Sequence, residues 1–145
     1  MEKEKRILVV DDDEAIRTLV LRILRRRDFA VDTAKNGAEA IEAMTRCRYA
    51  VALIDLMMPV KSGWDVLDWL AALPRPERPL VIVLTAGITA RQMSPEVVAG
   101  TVRKPFDVEL LLDMVAACAA VRDLVQREAC PPQSCAADTS RKDVN

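Results

Sequence analysis

Short apolar runs alternate along this chain with segments whose apolar residues return every three or four positions. Arg6 to Val10, RILVV, is nearly continuous and rich in β-branched residues, which predicts a strand buried on both faces rather than a half-exposed one. From Glu14 to Arg26 the spacing becomes helical, with Ile16, Leu19, Val20, Ile23 and Leu24 expected on one side. Phe29 to Thr33 reads as a second strand, and Asn36-Gly37 closes a turn before a helix carrying Ala40, Ile41 and Met44. Tyr49 to Ile54 is the third strand, stopping at Asp55, and Trp64 to Leu73 repeats the helical period. Pro74, Pro76 and Pro79 mark a stiff loop before Leu80 to Leu84, the most hydrophobic strand. Ser94-Pro95-Glu96 has the form of an N-cap followed by proline, predicting a short helix to about Ala99. A brief fifth strand, Gly100 to Arg103, and a long helix over 107–128 complete the pattern, the latter offering Leu111, Val115, Cys118, Val121 and Val125 for burial.

Strands that alternate with helices at this spacing require a parallel sheet covered on both faces, because parallel neighbours need crossover connections. The fold class is therefore α/β, with one domain expected over residues 1–128 and a disordered tail over 129–145, where periodicity stops. Ligands of open sheets bind beyond the carboxyl ends of the strands. The polar residues there are Asp11, Asp12, Asp55, Thr85 and Lys104.

Composition narrows the function. The chain has 145 residues, enough to bury roughly 70% of its unfolded surface. No apolar run approaches the roughly 20 residues of a membrane span, and MEKEKR leads into a strand rather than a signal-peptide core, so a cytoplasmic location is expected. A net charge of −1 provides no global footprint for nucleic acid. Arg25-Arg26-Arg27 is read as a solvated helix end that suits the negative pole of the helix dipole. Four cysteines with no histidine fit no zinc motif: Cys47 and Cys118 are expected as small buried hydrophobes, Cys130 and Cys135 as tail residues.

Three carboxylates meeting at one sheet edge repel strongly, by roughly 4 kcal/mol per pair at 4 Å and an effective dielectric near 20. Something positive must sit among them. A hard divalent cation with oxygen ligands fits best, and Mg2+ is held by one or two carboxylates plus water and phosphate oxygens. Lys104 can add an ammonium and Thr85 a hydroxyl donor. A carboxylate so placed is a natural phosphoryl acceptor.

VVDDDE, LIDLMMPVKSG, VIVLTAG and RKPF, in this order over about residues 6 to 125, resemble response-regulator receiver domains, the phosphoacceptor partners of histidine kinases. The resemblance implies a flavodoxin-like, doubly wound five-stranded sheet of order 2-1-3-4-5. It implies Asp55 as the phosphorylated residue, and Mg2+ ligated by Asp12, Asp55 and the backbone carbonyl of Met57, with Asp11 acting through water. Thr85 and Lys104 would contact the phosphoryl group, and the Lys104-Pro105 bond would be cis. Asp13 and Glu14 are read as favourable charges for the first turn of the helix. Met57 and Met58 are expected to pack, and Trp64 and Trp69 to serve as core or partial cover. The implied partners are a histidine kinase or histidine phosphotransferase and a downstream effector protein, with no direct nucleic-acid or membrane contact and a homodimer left open. The chain is expected to signal rather than act as an enzyme.

Two departures from the family fall on its readout face. Thr101 stands where receivers usually carry an aromatic, and the short interval between Thr85 and Lys104 predicts a reduced helix before the fifth strand. Phosphorylation would then be transmitted by backbone shifts in residues 86 to 103. Two other readings compete: an interaction module independent of phosphorylation, and a phosphatase of the haloacid dehalogenase type. The latter would use Asp11 as nucleophile in the D-x-D of Asp11 and Asp13, but Ala15 breaks its pattern.

Overall fold

The computed structural model describes residues 6–58, 60–86, 96–104 and 106–129. Pro105, most of the interval expected to hold a reduced helix, and the tail with Cys130 and Cys135 lie outside them. The elements run β1 (Arg6–Val10), α1 (Glu14–Arg26), β2 (Ala30–Ala34), α2 (Gly37–Arg46), β3 (Val51–Asp55), α3 (Gly63–Ala71), β4 (Leu80–Thr85), β5 (Val98–Arg103) and α4 (Val108–Ala129). The strands form one parallel sheet of order β2-β1-β3-β4-β5, the expected doubly wound arrangement.

The unbroken apolar runs have the predicted cause. On β1, Leu8 and Val10 enter one core with Ala40 of α2 and Val66, Leu67 and Leu70 of α3. Ile7 and Val9 point the other way, into a core with Val20 and Leu24 of α1 and Leu111 and Val115 of α4. Each fully buried aliphatic side chain of this kind stabilises the fold by roughly 1.5–3 kcal/mol, and both faces contribute.

Local chemistry sets the helix starts. Asp13 caps α1 by accepting from the Ala15 and Ile16 N–H groups, and Asn36 caps α2 by accepting from Glu39. Ser62 and Asp65 form a capping box at α3. Arg25 and Arg26 lie exposed in the last turn of α1, as the dipole argument requires. At the far edge of the sheet, Asp32 accepts from Tyr49 Oη at 2.6 Å and from Arg6 Nη1 at 3.0 Å. Burial, then the bond to Asp32, push the Tyr49 phenol above its ordinary range.

Several expectations are corrected. The helix read from Ser94 to about Ala99 does not reach Ala99: β5 already begins at Val98, which pairs with Val81, and Ala99 is the extra residue where the register slips before Ile82 meets Gly100. A single 3-10 turn, Arg75–Glu77, occupies the proline loop. Leu19, Met57 and Val121 were expected to pack but are exposed. Val121 lies six residues past the buried Val115, about 240° around the helix from it and off the buried stripe. Cys47 is buried and Cys118 half-buried; Trp64 and Trp69 pack partly against the α2/α3 core. Helix α4 runs one residue past the boundary expected at 128.

Candidate functional site

The parallel register brings the sequence-predicted polar residues to one edge. Asp11 follows β1 and donates its N–H to the Ala34 carbonyl at 3.1 Å. Asp55 ends β3 and pairs in register with Leu84, one residue before Thr85 ends β4. Lys104 lies just beyond β5, where its backbone N–H donates to the Thr85 carbonyl at 2.7 Å.

The two buried carboxylates are held in the same way. Asp11 Oδ1 accepts from the Asp13 N–H at 2.9 Å, and Asp55 Oδ1 from the Met57 N–H at 3.2 Å. Their other oxygens share one ammonium: Lys104 Nζ donates to Asp11 Oδ2 at 2.9 Å and to Asp55 Oδ2 at 3.3 Å. Asp11 is fully buried, Asp55 is 5% exposed, and Asp12 stands in solvent at the mouth. Oxygens of all three carboxylates lie within 4.8 Å of one another.

The electrostatics follow from that geometry. Burial lifts the Asp55 carboxyl to about 6; the Met57 N–H and Lys104 pull it down, while Asp11 pushes it further up. Burial alone would lower Lys104, but its bonds to Asp11 and the charges of both aspartates outweigh this and raise it. The two directions are compatible because Lys104 lies nearer Asp11. One ammonium against three carboxylates leaves the cluster short of positive charge. An all-oxygen donor set, partly buried and partly open to water, suits Mg2+ and excludes the sulfur- and imidazole-preferring metals. Asp11, Asp12 and Asp55 are the carboxylates this cluster offers to a cation.

Thr85 is buried at the end of β4. Asp13 is committed to capping α1. Two contributors had escaped the sequence reading. Arg17 Nη1 donates to the Asp11 carbonyl at 2.8 Å and braces the turn after β1. Gly63 lies so close behind Asp55 that a side chain there would collide with the Asp55 carbonyl oxygen. Neither carries a spacing signal, since each acts across a turn rather than along an element.

A family model described as the response regulator receiver domain matches residues 7–116. The chain is 34% identical over 110 residues to protein Rrf1 of Nitratidesulfovibrio vulgaris, covering 76% of this chain and 79% of that protein. It is 34% identical over 119 residues to response regulator MprA of Mycobacterium leprae, covering 77% of this chain and 50% of that one. The chain thus spans about half the length of MprA, and 26% of transcriptional regulatory protein ResD of Bacillus subtilis. Among solved structures, response regulator TrrA of Thermotoga maritima, in complex with Mg(2+)-BeF, superposes with a TM-score of 0.70 at 32% identity, covering 79% of this chain and 98% of that one. Chemotaxis response regulator CheY4 of Vibrio cholerae gives 0.72 at 27% identity, covering 80% and 99%.

Proposed function

Because the chain belongs to the response-regulator receiver family of two-component systems, we propose that Asp55 accepts a phosphoryl group from a histidine kinase or histidine phosphotransferase, with Mg2+ held beside it. The observation that carries this reading is the pair of buried carboxylates, Asp11 and Asp55, sharing Lys104 while Asp12 completes an oxygen cluster. An Asp55 Oδ attacks phosphorus, the bond to the donor's imidazole nitrogen breaks, and the leaving imidazole takes up a proton. Mg2+, when bound, supplies charge to neutralise the incoming phosphoryl oxygens. Lys104 pairs with one of those oxygens and Thr85 donates its hydroxyl to another. Asp11, fully buried and the nearer of the two buried carboxylates to Lys104, acts on the cation through water.

The protein serves as a signalling switch, and its output is a change in contact with an effector protein. Thr101 is exposed on β5, paired in register with Val83, so no aromatic stands at this position to carry the response. No described helix is long and apolar enough to cross a membrane; a cytoplasmic site of action and a single signalling domain over 1–128 belong to the same proposal. The net charge of −1 favours protein partners over nucleic acid for this domain. The phosphatase alternative lacks its pattern at Ala15, and Asp13 Oδ1 serves the α1 cap.

Incubating the chain with acetyl phosphate and MgCl2, then measuring intact mass and mapping the modified peptide, tests the assignment. One phosphoryl adduct on Asp55, abolished in Asp55→Asn, is expected. An adduct on Asp11 would favour the phosphatase chemistry, and no adduct would leave the phosphorylation-independent module as the better reading.

A further inference from the structure

The loop from Leu56 to Ser62 joins Asp55 to α3 and carries the Met57 carbonyl. Besides the Val66 N–H to Ser62 carbonyl bond that begins α3, three backbone hydrogen bonds among the described residues fasten it. The Leu56 N–H donates to the Leu84 carbonyl at 3.3 Å, and the Gly63 N–H to the Leu56 carbonyl at 3.0 Å. The third comes from another βα unit: the Gly37 N–H, at the start of α2, donates to the Lys61 carbonyl at 2.9 Å.

Gly37 does not have a positive φ, so backbone freedom is not what the position needs. It needs room. A Cβ there would lie 2.6 Å from the Lys61 carbonyl oxygen, 2.8 Å from Lys61 Cβ and 2.9 Å from its carbonyl carbon. Main-chain atoms cannot swing aside as the end of a long side chain can, so any larger residue must push the loop away. The adjoining Val60 shows that the loop is constrained. It takes φ 68° while 80% exposed, an unusual conformation for a β-branched residue, with little packing of its own side chain to impose it. The residue next to it, Lys61, is the one held by the Gly37 bond.

We propose that Gly37 is a positioning residue for the cation site: α2 draws Lys61 inward, and this latch sets the course of the loop that presents Met57. The inference rests on the magnesium reading above. Coupling between two such events is reciprocal, so if the latch favours cation binding, the cation must tighten the latch by the same factor.

Amide NMR of the 15N-labelled chain, metal-free and titrated with MgCl2 alone, provides the test. At saturation the Gly37 amide should exchange more slowly by about fivefold or more, and Gly37→Ala should raise the magnesium Kd by roughly the same factor. Glu42→Ala, an exposed position later on the same helix, should leave the Kd unchanged. Wild-type protein that shows magnesium-dependent shifts at Asp12 and Met57 but unaltered exchange at Gly37 would overturn the latch. Absence of any shift at Asp12 and Met57 would remove the magnesium reading and the latch with it. Should Gly37→Ala not fold, the wild-type exchange measurement decides alone.

Discussion

Burial lifts the Asp55 carboxyl to about 6, against the Met57 N–H; Asp11 adds to the lift and Lys104 opposes it. A carboxyl raised above its unfolded value of 3.8 contributes stability that is fully present below that value and lost as pH rises through about 6. The direction is opposite to that of an ordinary salt-bridged aspartate, and the size is at most about 3 kcal/mol. With no histidine in the chain, few other groups titrate in this window. Urea denaturation in EDTA should therefore show stability falling from pH 5 to pH 7, and Asp55→Asn should flatten the profile. A wild-type profile that rises across the same interval would contradict the assignment of the raised group. Asp11 and Asp55 could be read from the sequence because each ends an apolar run, and Lys104 because the motif RKPF follows the last strand. Their sharing of one ammonium could not, because Lys104 is 93 residues from Asp11 and 49 from Asp55.

At the scale of elements, the helix caps are local and the start of the edge strand is not. Asp13, Asn36 and Ser62 act within three residues of their own position, so the starts of α1, α2 and α3 follow from local chemistry. The start of β5 does not. Ser94-Pro95-Glu96 is a helix-start pattern, but the open edge of β4 offers Val98 a ladder partner and Val97 is buried against the α2/α3 core, so non-local bonds and packing outweigh the local preference. The β3–α3 loop shows the reverse conflict, a residue held where its own preference opposes it. A left-handed conformation costs Val60 roughly 1–2 kcal/mol, while glycine would cost roughly 0.5–1 in unfolded-state entropy. Val60→Gly should therefore stabilise the protein by about 0.5–1 kcal/mol, read as a higher urea midpoint at unchanged slope. A lower midpoint would mean that Val60 makes contacts its exposure does not suggest.

For the whole molecule, the cation cluster is a property of the folded chain alone. Asp11 and Asp12 sit on the turn after β1, and Asp55 ends a strand reached only after two helices and another strand. A cation that binds this arrangement and not the unfolded chain stabilises the fold by mass action, about 2.7 kcal/mol when free Mg2+ is 100 times its Kd. Thermal unfolding should shift upward with MgCl2 by this linkage. Asp12→Asn should abolish most of the shift while leaving metal-free stability equal or slightly higher, since Asp12 is exposed and its charge repels two neighbours. An undiminished magnesium shift in Asp12→Asn would place the ion elsewhere.

The sequence by itself determined the alternation of strand and helix and the residue types at the strand ends. These depend on periods of two and 3.6 and on contacts within a few positions, information that any window of the chain contains. Only the tertiary structure decided the contacts those ends make, such as the one ammonium of Lys104 shared by Asp11 and Asp55. Strand order and register bring Asp11, Asp55, Thr85 and Lys104 to one edge, and they arise from burying both faces of the sheet at once rather than from any local preference. The same packing made Gly37 and Arg17 part of the site's surroundings, through backbone atoms that present the same chemistry at every position of a sequence.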